Sequence, residues 1–220
     1  MKIFLDTGNL EEIRQAARWG VVDGVTTNPT LHAKEQDGVS YRERILEIAR
    51  IVDGPISAEC VSRTAEALVA EAREIAAWHP NVVVKIPIDE AGLEAIHRVS
   101  GEGIRVNTTL VFSVNQALLA ANAGAAYVSP FIGRLDDIGH DGVGLVQEIV
   151  ELLERYSLPC EVIAASIRHA PHVAQCAAVG AQIATVPFGV LRQMLKHPLT
   201  DRGIEAFLAD WARAQAGARA

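Results

Sequence analysis

Cysteine is scarce in this chain and carries no pattern. The three present, Cys60, Cys160 and Cys176, form no C-x-x-C pair. An odd number at distant positions gives no disulfide framework and predicts reduced, buried thiols. Positive charge is also short, and a net charge of −7 argues against a nucleic-acid binder while leaving room for a local anion site. No run is long and apolar enough to span a bilayer. The opening Met1-Lys2-Ile3-Phe4-Leu5-Asp6 lacks the apolar region of a signal peptide and brings an acid early, so a cytoplasmic protein away from membranes is expected. The first strand–helix turn, Thr7-Gly8-Asn9, is not a G-x-G-x-x-G, and there is no Walker A run and no H-E-x-x-H. His169 and His172 stand three apart with no third ligand at sensible spacing, so no metal site is expected.

What remains is a chain of 220 residues, 50% hydrophobic and only 5% aromatic, rich in alanine and valine. That composition suits β-branched strands packed under alanine-rich helices. Short apolar runs alternate with amphipathic helical patterns throughout. Strands are predicted at 3–6, 23–26, 56–60, 82–87, 104–109, 126–129, 161–166 and 182–185. Helices are predicted between them, among them one capped by Asn9 with Glu12 three residues on and one over about 41–52. Residues 32–40 and the glycine-rich stretch 133–144 read as loops. Eight strands alternating with eight helices predict an α/β fold, a (β/α)₈ TIM barrel forming one domain over 1–220, with an extra C-terminal helix at about 200–214. A doubly wound sheet has the same alternation but lacks its phosphate fingerprint here.

One lysine stands out. Lys85 ends the run Val82-Val83-Val84-Lys85-Ile86-Pro87, which reads as a buried strand. Burial favours the neutral amine, and a neutral amine in a dry pocket is a nucleophile toward carbonyls, which is Schiff-base chemistry. The competing reading is a lysine snorkelling from a strand end to solvent. The other strand ends weigh against it. Strand one ends in Asp6, strand two in Thr26 and Asn28, strand three in Glu59, and strand five in Asn107 and Thr109. Strand six ends in Ser129, with Phe131 two further on, and strand seven in Ser166. A single polar strand end is commonly a cap or a satisfied hydroxyl. So many, converging on the carboxyl mouth of a barrel, point to chemistry. Arg134 and Arg168 follow strands six and seven; each alone reads as a surface arginine, but with Ser166 they make a forked anion site.

These residues lie in stretches that resemble a known family: FLDTGNLEEI, DGVTTNPTL, VVVKIPI, EGIRVNTTLVFS, AGAAYVSPFIGR, IAASIRH and VPFGVLRQMLKHPLTDRGIEAFLADW. The chain resembles the transaldolases, the short bacterial and archaeal type related to fructose-6-phosphate aldolase, over nearly its full length. The resemblance implies that Lys85 forms a Schiff base with a ketose phosphate and that Asp6 exchanges the proton of the C4 hydroxyl. It implies that Glu59 and Thr109 hold a proton-shuttling water. Thr26, Asn28, Asn107, Ser129 and Phe131 would face the sugar, and Arg134, Ser166 and Arg168 the phosphate. Glu59 with Phe131 is the transaldolase pattern, where the aldolases look like Gln and Tyr. A transaldolase moves a dihydroxyacetone unit from sedoheptulose 7-phosphate to glyceraldehyde 3-phosphate, a step of the non-oxidative pentose phosphate pathway, and needs no cofactor because the lysine supplies the carbonyl chemistry. Family members of this type are decamers of two pentamers, with the last helix reaching a neighbour. The alternatives are the simple aldolase releasing dihydroxyacetone, a pyridoxal-phosphate enzyme, and a non-catalytic phosphosugar-binding protein.

Overall fold

The structure is a computed structural model that describes residues 1–217. The strands, in chain order, are β1 Lys2–Asp6, β2 Gly24–Thr26, β3 Ile56–Glu59, β4 Val82–Pro87, β5 Val106–Val111, β6 Tyr127–Pro130, β7 Glu161–Ala164 and β8 Ile183–Val186. Each pairs in parallel with the next, and Lys2 of β1 registers with Ile183 of β8, so the sheet closes into an eight-stranded barrel. Closure removes both sheet edges.

Helices wrap the outside: α1 Leu10–Ala17, α2 Pro29–Glu35, α3 Tyr41–Ala49, α4 Ala65–Ala76, α5 Glu90–Gly101, α6 Val114–Asn122, α7 Ile132–Asp136, α8 Gly142–Arg155, α9 Ala170–Ala178, α10 Phe188–Met194 and α11 Pro198–Gly217. Most begin with a polar side chain that accepts from the first turn. Asn9 caps α1 and Asp89 caps α5, while Ser40 and Glu43 form a reciprocal capping box at α3. Their apolar stripes, such as Leu68, Val69, Ala72 and Ile75 of α4, lie against the outward side chains of the strands, among them Leu5, Val25, Ile56 and Val84. Each large side chain buried this way is worth about 1.5–3 kcal/mol.

The inward side chains form a second, separate cluster: Phe4, Val83, Tyr127, Ile163 and Ile183. This is the apolar floor of the barrel interior. Gly24 belongs to it by omission, because a Cβ there would sit 2.7 Å from the Phe4 ring. Side chains alternate along a strand, so two residues further on each points into the interior one layer higher. From Phe4, Val83, Tyr127, Ile163 and Ile183 those residues are Asp6, Lys85, Ser129, Ala165 and Thr185. The site is built by that single step of the pleat.

The structure differs from the expectation at several joints. The stretch 32–40 is not all loop: α2 occupies Pro29–Glu35, with Asn28 as its N-cap, Pro29 in its first turn and Gln36 in the left-handed region at its end. Within 133–144 lie the short α7 and the start of α8. Strand five runs from Val106 to Val111 rather than 104–109, with a register shift between Thr108 and Val111 and Leu110 at φ +60°. Strand seven stops at Ala164, after which Ala165 bridges to Phe131. The helix predicted to end the chain is α11, none of whose residues is buried, with Ile204, Phe207, Leu208 and Trp211 exposed.

Candidate active site

At the carboxyl mouth of the barrel lies a cavity of about 600 Å³. Asp6, Thr26, Glu59, Lys85 and Ser129 line its inner end, and Arg134, Ser166 and Arg168 line its outer rim. Asn28 and Phe131 also face it. Ten of the twelve residues singled out in the sequence therefore meet at one space. The other two, Asn107 and Thr109, are fully buried and do not line it.

Lys85 is 5% exposed, and its Nζ donates to Glu59 Oε2 at 2.9 Å. The β3–β4 register makes the pair, because Glu59 sits directly opposite Lys85. A tyrosine that the sequence did not single out steadies the acid from behind. The Tyr41 hydroxyl accepts from the Glu59 backbone N–H at 2.9 Å and lies 2.8 Å from Thr27 Oγ1, which itself donates to the Ser57 carbonyl. Because the Thr27 proton is used there, Tyr41 is the donor to Thr27. Burial pushes the Tyr41 phenol up to about 12, so it stays protonated.

Asp6 accepts from Thr26 Oγ1 at 2.8 Å, and Thr26 lies 2.5 Å from Thr185 Oγ1. Burial holds the Asp6 carboxyl above its ordinary 3.8, against the opposing pull of Lys85 and the Thr26 hydrogen bond. An acid placed this way is poised to gain and lose a proton rather than to serve as a fixed charge. Lys34, from α2, lines the same cavity and also attracts the Asp6 carboxylate.

Asn107 is held on both sides, donating to Ser57 Oγ at 3.1 Å and accepting from Ser129 Oγ at 2.7 Å. In this arrangement Asn107 orients Ser129, which does face the cavity. Asn28 spends its Oδ1 on the N–H of Leu31 as the cap of α2, leaving its amide nitrogen for a ligand. Thr109 Oγ1 is buried with no hydrogen-bond partner among the described residues. Such an atom is costly unless something in the working enzyme meets it.

The rim is held differently. Gly133 donates to the Ser166 carbonyl at 3.1 Å, and a Cβ at Gly133 would fall 2.7 Å from the Arg168 side chain. Ser166 sits at φ +60°, an unusual backbone state for a non-glycine residue and one that gathers at functional sites. Arg168 donates to Asp137 at 2.6 Å, and Arg134 stacks its guanidinium over Phe131 at 5.1 Å. Two arginines beside a strained serine suit a phosphate.

Among the lining residues outside the sequence expectation are Lys34, Leu110, Thr185 and Pro187. Thr185 had the same signal as Thr26, a hydroxyl at the end of a strand. Lys34 had none, because it rides on a helix too short to show a period.

The three cysteines are free and buried, with Cys160 pushed up to about 12 and Cys176 to about 11 by burial. Among the described residues no three His, Cys, Asp or Glu side chains are grouped to hold a metal ion, and no helix is long and apolar enough to cross a membrane.

Residues 3–218 match a family model described as transaldolase/fructose-6-phosphate aldolase. A probable transaldolase of Heliobacterium modesticaldum is 62% identical over 96% of this chain and 97% of its own length. One from Moorella thermoacetica is 59% identical over 97% of this chain and 98% of its own length, and probable transaldolase 1 of Listeria monocytogenes is 59% identical over 98% and 100%. Among solved structures, a mandelate oxidase mutant with an FMN adduct aligns at TM-score 0.55 and 19% identity, over 81% of this chain and 59% of that one, a likeness of fold alone.

Proposed function

The chain belongs to the transaldolase/fructose-6-phosphate aldolase family, and we propose from its site that it is a Schiff-base transaldolase. The observation that carries this reading is the amine of Lys85, buried in the barrel interior 2.9 Å from Glu59 on a cavity that Asp6 also lines. Lys85 passes a proton to Glu59, and the freed amine attacks the C2 carbonyl of a ketose phosphate. Glu59, with a water held against Thr109 Oγ1, supplies and removes the protons that turn the carbinolamine into the iminium. Asp6 takes the C4 hydroxyl proton as the C3–C4 bond breaks. The bonding electrons flow into the iminium and leave a dihydroxyacetone enamine on Lys85. The aldose phosphate departs, an acceptor aldose phosphate enters, and the same steps run backward. With sedoheptulose 7-phosphate as donor and glyceraldehyde 3-phosphate as acceptor, the products are erythrose 4-phosphate and fructose 6-phosphate.

Asn28 and Ser129 are the groups we assign to the sugar hydroxyls, with Asn107 orienting Ser129 and Thr26 orienting Asp6. Arg134, Ser166 and Arg168 take the phosphate. Two arginines at the rim support a phosphorylated substrate over a free sugar. The enamine must last until the acceptor arrives. Phe131, whose ring centre is 6.0 Å from Lys85 Nζ, presents no hydroxyl that would protonate it. That favours transfer over release, and so transaldolase over the aldolase branch of the family.

Assembly belongs to the same proposal. The exposed row Ile204, Phe207, Leu208 and Trp211 on α11 supports burial against a neighbouring subunit, as in the decamers that the family resemblance implies. We place the enzyme in the cytoplasm, where its sugar phosphates are. Product analysis tests the chemistry: fructose 6-phosphate alone should yield little free dihydroxyacetone, and erythrose 4-phosphate should be consumed to give sedoheptulose 7-phosphate. Equal release with and without acceptor would instead mark an aldolase.

A further inference from the structure

We propose that His172, acting with Asp136, is a positioning pair that holds the two arginine arms of the anion site in register. The proposal rests on the reading that Arg134 and Arg168 receive the substrate phosphate. The arms come from different elements. Arg134 lies on α7, a helix of five residues with no side-chain hydrogen bond at its N-cap. Arg168 lies in the connection between β7 and α9, two residues before Ala170. A helix that short has little stability of its own, so something outside must fix it.

His172 is 4% exposed in the first turn of α9 and touches both arms. Its Nε2 lies 2.8 Å from Asp136 Oδ2, on the same short helix as Arg134. Its Nδ1 accepts from the Arg168 backbone N–H at 3.3 Å. Asp136 uses its other oxygen to accept from the N–H of Gly142, the first residue of α8, at 3.0 Å. A single imidazole thus ties arm to arm, and its carboxylate partner ties both to α8.

The hydrogen-bond partners define the tautomer. A backbone N–H only donates, so Nδ1 is the acceptor, and the proton sits on Nε2, donated to Asp136. This requires a neutral ring. Burial and the His169 ring, 3.7 Å away, hold His172 below the ordinary histidine value against the pull of Asp136. None of these groups faces the sugar, so their effect is confined to the phosphate end.

The test compares phosphate-dependent with phosphate-independent readouts. For His172→Leu, the KM for fructose 6-phosphate and the inhibition constant of inorganic phosphate should rise together by about tenfold, the loss of one charge-assisted hydrogen bond. Borohydride trapping of the enzyme by dihydroxyacetone, which has no phosphate, should stay within about twofold, below the effect of one ordinary hydrogen bond. Asp136→Asn keeps an acceptor for Gly142 but turns an amide toward Nε2. That favours the opposite tautomer and should raise the same two constants, and this variant carries the test if His172→Leu does not fold. His172→Asn, with an oxygen near the place of Nδ1, should restore part of the loss. Equal loss of dihydroxyacetone trapping, or unchanged phosphate constants, would overturn the pairing. Arg168→Ala separates the two layers. If it raises the phosphate constant and His172→Leu does not, only the pairing fails. If Arg168→Ala leaves that constant unchanged, the anion reading fails and the pairing with it.

Discussion

The two ends of the cavity are built on opposite principles. At the inner end the Lys85 and Glu59 side chains are 7% and 14% exposed. Their positions follow from strand register and from hydrogen bonds inside the barrel. At the rim the Arg168 and Asp137 side chains are 50% and 57% exposed, and their pairing holds a loop rather than a strand. A buried ion pair costs much to desolvate and fails badly when one partner is lost, whereas an exposed pair contributes about 0–1 kcal/mol. The inner end is therefore expensive to build and fixed in place, as proton transfer over a few ångströms requires. At the rim the exposed arginine side chains can adjust while His172 holds the backbone beneath them, as suits a site that must release one aldose phosphate and admit another.

Substitutions at the inner end should act on turnover. Glu59→Gln keeps the shape but cannot cycle protons, and kcat should fall by about 10²–10⁴, the range for losing general acid–base assistance. The KM for fructose 6-phosphate should change far less. Rim substitutions should show the reverse. Arg134→Ala and Arg168→Ala should each raise KM by about tenfold, as for one charge-assisted contact, with kcat nearly kept. A kcat defect in the rim variants as large as that of Glu59→Gln would erase the distinction.

Asp6 sharpens the comparison through stability. Its carboxyl is raised by burial in the folded protein. A raised carboxyl contributes stability below the unfolded value near 3.8, and that contribution is lost as pH rises through the folded value. As pH rises through that folded value, ionising Asp6 costs the fold stability in exchange for function. Asp6→Asn should be nearly inactive yet melt higher than the parent at pH 7, with the gain shrinking toward pH 3.8. A melting temperature that falls at pH 7 would contradict this. The smallest expected effect is at Phe131, which lies between the two ends. Phe131→Tyr should increase dihydroxyacetone release from fructose 6-phosphate by a few-fold, on the scale of one added hydrogen bond, and no increase would argue against its role in protecting the enamine.

The same division governs what the sequence made legible. Asp6, Glu59, Lys85 and Ser129 stand out in the sequence as polar strand ends, and the pleat that sets Phe4 below Asp6, Val83 below Lys85 and Tyr127 below Ser129 brings them to one space. Asn107 is expected on the sugar, but its partners Ser57 and Ser129 consume its polar atoms, and such pairing across strands does not show in a linear pattern. The helices α2 and α7 do not show in the sequence, because seven and five residues are too few for a 3.6-residue period. The cap-and-proline pair Asn28-Pro29 is the signal that could have found the start of α2. Lys34 rides on α2 and Asp136 on α7, so neither could be placed. The strained states of Leu110 and Ser166 were also hidden, since neither is a residue type that announces positive φ.

Everything turns on the buried amine beside Glu59 being the group that holds the sugar. Incubation with fructose 6-phosphate, reduction with borohydride and peptide mapping measures this directly. One reduced adduct is expected, a three-carbon dihydroxyacetone unit on Lys85, absent from Lys85→Met and absent without the donor. An adduct on Lys34 or any other lysine, or none while turnover persists, would contradict it.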